Sequence, residues 1–229
     1  MRAPDAAATL EAMETRDAAA YGDAIADIYD ELHADVGASD AVALLAELAG
    51  AGPALELGVG TGRLALPLAA RGVEVHGIDV SSKMLERLRS RPGGDRVQTT
   101  LGDFADVGVD GSYRLIYVCF NTFFGLVTVD AQERCMKRVA RHLARGGRFV
   151  VEAFVPAAGA PRRQSRTDIF FHRGTVRLCP VDLRTATVAE LDLLACIGGL
   201  RLERRYGSWR RTPFGRHSGS HISIYAPSG

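Results

Sequence analysis

The run Glu56-Leu57-Gly58-Val59-Gly60-Thr61-Gly62 sets three glycines at alternate positions behind one carboxylate. Glycines there let the backbone turn sharply and approach a ligand that a Cβ would keep away. The spacing is GxGxG, not the GxGxxG of dinucleotide sites. Glu56 would repel a pyrophosphate and welcome an ammonium. Asp79 closes the next apolar run, where a carboxylate takes both hydroxyls of a ribose. Ser81-Ser82-Lys83-Met84-Leu85 follows, with Met84 placed to lie against a flat ring. Gly102-Asp103-Phe104 then offers an acceptor for an exocyclic amine and a second stacking face.

These groups need a scaffold that brings successive loops to one edge. Short apolar strands are predicted at 54–57, 73–78, 97–101, 115–120 and 149–154, with helices at 62–71, 82–89 and 131–143 between them. Uninterrupted apolar strands separated by helices indicate a parallel sheet covered on both faces, an α/β fold that binds ligands at the carboxyl ends of its strands. The last of those helices opens with the capping-box-like pair Asp130 and Glu133 and closes at Gly146-Gly147. A further helix runs from Thr187 and Glu190 to Gly198-Gly199. Two strands, 202–206 and 222–226, are joined by too short a loop for a crossover and should be antiparallel.

Before the sheet, residues 1–16 read as a flexible arm. Residues 17–50 read as a helical cap, with one helix from Asp17 to His33 and another from Ser39 to Ala49. Residues 156–186, with Pro156, Gly159, Pro161 and several arginines, break the rhythm and are expected to form a flap over the sheet's edge, with two short strands around Arg173-Gly174. The whole of 17–229 reads as one domain.

Charge is balanced overall at +1 but not along the chain. Residues 1–50 hold two Arg against eleven acids, while the segment from 160 onward holds twelve Arg against five. The basic tail either faces the acidic head or meets an anionic ligand; Arg162, Arg163, Arg210, Arg211 and Arg216 are the groups such a ligand would use. Cys119, Cys135, Cys179 and Cys196 show no metal-ligand spacing and read as buried thiols of a reduced compartment, so no metal is expected. No apolar run approaches the ~20 residues of a membrane span. No secretory leader is evident, which makes a cytoplasmic location the expectation.

The segments LELGVGTGRLALPLA, GIDVSSKMLERL and LARGGRFVVEAF resemble the glycine loop, ribose-binding strand and fifth-strand entry of the class I S-adenosylmethionine-dependent methyltransferases, small-molecule branch. The resemblance covers about residues 20–226. It implies a doubly wound, mostly parallel seven-strand sheet with a terminal antiparallel hairpin, and S-adenosyl-L-methionine as cofactor. Glu56, Gly58, Gly60 and Gly62 would then cradle the methionine part. Asp79 and Val80 would lie at the ribose, Met84, Asp103 and Phe104 at the adenine, and Phe120 along the methionine side chain. Tyr29 would either close over the cofactor or serve the core of its helix. The Asp-Pro-Pro-Tyr signature of amino methylation on nucleic acids and proteins is absent, so a small-molecule acceptor and no nucleic acid are implied.

Methyl transfer from a sulfonium is an in-line displacement with a good leaving group, so positioning does most of the work and catalytic residues are poorly specified. The acceptor should sit over strands four to six. Candidates there are His33, Asn121, Phe123, Glu152, Trp209 and His217. His217 is the candidate base, or a surface residue of its loop. Asn121 orients the acceptor or holds its own turn, and Glu152 grips the acceptor or pairs with an Arg. His33 caps its helix or acts in catalysis. The acceptor atom is O or N. A non-methylating reaction on the same fold, a non-catalytic partner subunit and a homodimer are the open alternatives.

Overall fold

The computed structural model describes residues 18–34 and 37–229. The expected arm at 1–16 and the helix start at Asp17 lie outside them. Nine strands form: β1 (Ala54–Leu57), β2 (Val75–Asp79), β3 (Val97–Leu101), β4 (Tyr113–Val118), β5 (Leu143–Phe154), β6 (Arg163–His172), β7 (Thr175–Arg184), β8 (Leu200–Tyr206) and β9 (Ser220–Pro227). Seven of them build one sheet in the order β3-β2-β1-β4-β5-β9-β8. β1 to β5 run parallel, and β9 is antiparallel to both β5 and β8.

The helices are α1 (Ala20–Ile25), α2 (Tyr29–Leu32), α3 (Ser39–Ala49), α4 (Ala65–Ala69), α5 (Ser82–Ser90), α6 (Val129–His142) and α7 (Val188–Ile197). Alternate residues of β4 serve opposite layers, as a two-residue side-chain period requires. Leu115 and Tyr117 join Leu45, Leu68 and Leu88 of α3, α4 and α5; Ile116 and Val118 join Met136, Val139 and Leu194 of α6 and α7. The order of strands reverses between β1 and β4, and the crevice at that switch point is where open α/β sheets take ligands. Among the described residues no helix is long and apolar enough to cross a membrane.

Four local expectations are corrected. The expected helix from Asp17 to His33 is broken into α1 and α2: Arg177 donates to the Ala24 carbonyl at 3.0 Å and to Asp27, and Ile28 N–H bonds back to Ile25 instead. The cap of α6 is Thr128, whose hydroxyl accepts from Ala131 N–H at 3.1 Å, and not Asp130. Gly146-Gly147 lies inside β5 rather than closing α6; a Cβ on Gly147 would stand 2.9 Å from the Tyr113 carbonyl of β4. Cys196 is exposed, while the other three thiols are buried.

The expected insertion at 156–186 holds a hairpin whose strands are longer than the two short runs the sequence suggests. β6 and β7 are ten residues each, joined at Arg173-Gly174, both with positive φ as a tight two-residue hairpin turn demands. The hairpin contacts the turn at Thr122–Gly125, just past the carboxyl end of β4. It packs β7 on α1, where Cys179 is fully buried against Ile25, Ala26, Ile28 and Met84. Polar contacts fasten it to the cap: Arg177 pairs with Asp27 at 2.6 Å and Arg173 with Glu31 at 3.1 Å, and His172 Nε2 lies in hydrogen-bond distance of Glu31 at 2.8 Å. Hairpin and cap thus pack as one layer, referred to below as the lid.

Candidate active site

The glycine loop is shaped by its neighbours. Gly58 has φ +73°, and a Cβ there would stand 2.4 Å from Thr122 in the turn after β4. Gly60, at φ +54°, has nothing within 4 Å of that position, so its face is open to a ligand. Asp79 holds this loop: its Oδ2 accepts from Gly60 N–H at 2.7 Å and its Oδ1 from Ser81 N–H at 2.9 Å. Burial pushes the Asp79 carboxyl up, and those backbone amides pull it back. Each oxygen keeps a lone pair, which suits a ribose diol.

Glu56 is 5% exposed; it accepts from the hydroxyl of Tyr117, its register partner on β4, at 3.0 Å, and from the backbone of Ala65, with the Arg63 charge also acting on it. Burial drives its carboxyl from 4.5 to about 8, and no described residue forms an ion pair with it. A buried carboxylate without a cation is costly on its own and fits a ligand ammonium. Arg63, directly after the glycine run, carries its guanidinium 4.9 Å from the Phe120 ring centroid and is the cation suited to the ligand's carboxylate. Sequence reasoning missed it, although a lone base behind the glycines was a visible signal.

Phe120 and Asn121 both adopt positive φ, +57° and +66°, at the exit of β4. Non-glycine residues hold that conformation only where the surroundings impose it, and such positions cluster at functional sites. Here Glu152 of β5 imposes it. Its Oε2 accepts from Phe120 N–H at 2.8 Å, its backbone carbonyl from Asn121 N–H at 3.2 Å, and its Oε1 from the Trp209 indole at 2.7 Å. Glu152 therefore pairs with no Arg among the described residues, contrary to one of the two expectations for it. The Asn121 side-chain carbonyl accepts from Phe154 N–H at 2.7 Å and so ties the turn to β5.

The lid reaches this spot through α2. The Tyr29 ring stacks on His33 at 4.3 Å, and the His33 ring stands nearly perpendicular to Phe120 at 5.2 Å. Burial raises the Tyr29 hydroxyl, with Arg63 opposing and Glu56 and Asp79 adding to the rise, so Tyr29 overlooks the same crevice. Asp30 latches α2 to the glycine loop, accepting from the Thr61 hydroxyl at 2.6 Å and from Arg91 at 2.9 Å. Nothing in the sequence pattern signals that latch.

The remaining candidates lie less centrally. Met84 is 4% exposed and packed under α1, with Ser81 bonded to Asp23 of that helix at 2.5 Å. Val80 is half-buried beside Asp79. Asp103 is exposed and caps its own turn through Ala105 N–H, while Phe104 packs into the core behind it. Phe123 is fully buried core. His217 is exposed in its loop, where its Nε2 accepts from Arg216 at 2.8 Å, and no contact joins it to the cluster around Phe120. Three of the five arginines proposed for an anionic acceptor pair with acids: Arg162 with Glu190, Arg210 with Asp40 and Arg211 with Glu47, while Arg216 bonds His217. Arg173, Arg177, Arg210 and Arg211 of the basic tail answer acids of the head, while Arg162, Arg166, Arg184 and Arg205 answer acids of the tail itself.

Known proteins resemble this chain in sequence and fold. Residues 54–147 match a family model described as a methyltransferase domain. The CcbJ methyltransferase from Streptomyces caelestis is 36% identical, with a TM-score of 0.83 over 93% of this chain and 100% of its own. The cypemycin N-terminal methyltransferase of a Streptomyces sp is 28% identical over 188 residues, 70% of this chain and 77% of its own. The glycopeptide N-methyltransferase MtfA, solved with S-adenosyl-L-methionine, has the same fold at 19% identity, with a TM-score of 0.63 over 82% of this chain and 93% of its own.

Proposed function

Because the chain belongs to the class I S-adenosylmethionine-dependent methyltransferases, we propose that it transfers the methyl group to an amine nitrogen of a small natural product or peptide. The observation that carries this reading is the half-buried Glu152 carboxylate among Phe120, His33 and Trp209, with no cation of the described chain paired to it. A carboxylate held out of water with no cation beside it favours an ammonium and disfavours an anion. The relative named for methylating the cypemycin amino terminus has the same acceptor class.

Bound S-adenosylmethionine supplies a methyl group on a sulfonium that leaves as a neutral thioether. The chain's residues do the rest. Glu56 holds the ammonium end, Arg63 and Tyr29 the carboxylate end, and Asp79 the ribose, while Gly60 leaves room for them. Phe120 and Asn121, fixed by Glu152, shape the wall between donor and acceptor. The lid excludes water, and alignment within a closed cleft supplies most of the rate.

The test is a mass-spectrometric screen for a single added methyl. Its probes are short peptides with a free amino end, their N-acetylated forms, and hydroxylated analogues. The free amines gain the methyl and the acetylated forms do not. Methylation of a hydroxyl or carboxyl group in preference to every amine would overturn the reading.

A further inference from the structure

We propose that His33 is a catalytic base, its Nε2 taking the proton that the acceptor amine must shed before it can attack. The inference rests on the amine reading above. His33 Nδ1 lies 2.9 Å from the Tyr29 carbonyl oxygen. A carbonyl only accepts, so Nδ1 carries the hydrogen, and in the uncharged ring the lone pair lies on Nε2. No described residue bonds to that nitrogen. The ring is half-buried, pinned by Tyr29 on one face and set across Phe120, whose amide is fixed by the carboxylate proposed to receive the acceptor. The charged and titratable groups around it are Tyr29 and Asp30 on α2, Arg63 across Phe120, and Glu152 behind it.

The acceptor enters as an ammonium and gives one proton to Nε2. The freed nitrogen pair then forms the N–C bond to the methyl as the C–S bond breaks, and the C–S pair stays on sulfur. The product is a methylated ammonium, and the imidazolium returns its proton to solvent through the half-exposed lid. One proton is released per turnover.

His33→Asn tests this, because its amide can still donate to the Tyr29 carbonyl but cannot take up a proton. Calorimetric affinity for S-adenosylmethionine should stay within about threefold, while single-turnover methyl transfer to the amine found in the screen falls by about 100-fold or more near pH 7. The deficit should shrink as pH rises toward the acceptor's own deprotonation, and added imidazole should restore part of the rate. A merely structural role would give a loss that neither pH nor imidazole relieves. A second readout needs no acceptor: long-range proton–nitrogen NMR of the wild-type protein should show His33 protonated on Nδ1, the signal being assigned by its absence from His33→Asn. An Nε2-protonated tautomer, or turnover in the variant within threefold of wild type, overturns the proposal. If the screen finds methylated oxygen and His33→Asn still loses pH-dependent rate, the amine reading fails and His33 stands as the base.

Discussion

Around the lid, Asp27, Asp30, Glu31, Asp40 and Glu47 each meet at least one arginine of the chain, whereas Glu56, Asp79 and Glu152 in the cleft beneath form ion pairs with no described residue. The rim pairs are largely exposed, and their attraction is screened by water and salt. The cleft carboxylates are buried or half-buried, where a missing partner is expensive. One set closes the structure on itself; the other is held open for cations that come from outside. Stability and binding should therefore respond in opposite directions to changes in the two regions.

The largest contrast is expected at Glu56. Glu56→Gln keeps an acceptor for the Tyr117 hydroxyl but removes the charge, so cofactor affinity by calorimetry should fall by about 100-fold or more. Without ligand, the effect on stability reverses. The native carboxyl sits near 8 against an ordinary 4.5, so between those values the folded state binds more protons than the unfolded one. Ligand-free wild type should lose stability as pH rises from about 4.5 through about 8, and Glu56→Gln should lose that slope. Its melting temperature at pH 8 should exceed the wild type's. A lower melting temperature together with unchanged affinity would erase the distinction between cleft and rim.

Asp79→Ala comes next. It removes the ribose acceptor and unlatches Gly60, and a charge-assisted bond of this kind contributes about 1.5–3 kcal/mol, so affinity should drop by about 10- to 100-fold. Glu152→Gln should lower turnover on an amine about tenfold while cofactor affinity holds, since acceptor and cofactor meet different carboxylates. Gln leaves one acceptor oxygen for the two donors, and because the chain has one tryptophan its fluorescence reports whether the Trp209 bond is the one lost. The smallest effect belongs to the rim. Arg177→Ala should change the melting temperature little, and raised salt should remove even that difference.

The two regions also differ in how far the sequence revealed them. β1 and α3 occupy the predicted residues, and the glycine run with Asp79 was legible because loop, strand and helix lie within thirty residues of one another. What escaped depends on distant partners. The cap helix breaks because Arg177 takes the Ala24 carbonyl from 153 positions away. Glu152 and Trp209 are 57 positions apart, and no local pattern ties an indole to that carboxylate. His33 looked like a capping residue, and its Nδ1 does bond its own helix; only the fold brings Phe120 to the ring. His217, beside arginines and the single tryptophan, offered a stronger local pattern and lies outside the contact cluster.

The salt bridges between lid and hairpin also set an order of assembly. Asp27 and Glu31 are 150 and 142 positions ahead of Arg177 and Arg173. At about 5–20 residues per second, ribosomal synthesis delivers those arginines roughly 7–30 s after the helices they hold. Until then the cap has no hairpin to seat against, and the glycine loop it will cover is already made. A nascent chain therefore reaches the length of the glycine loop and its helical cover well before the residues that pin that cover have been made.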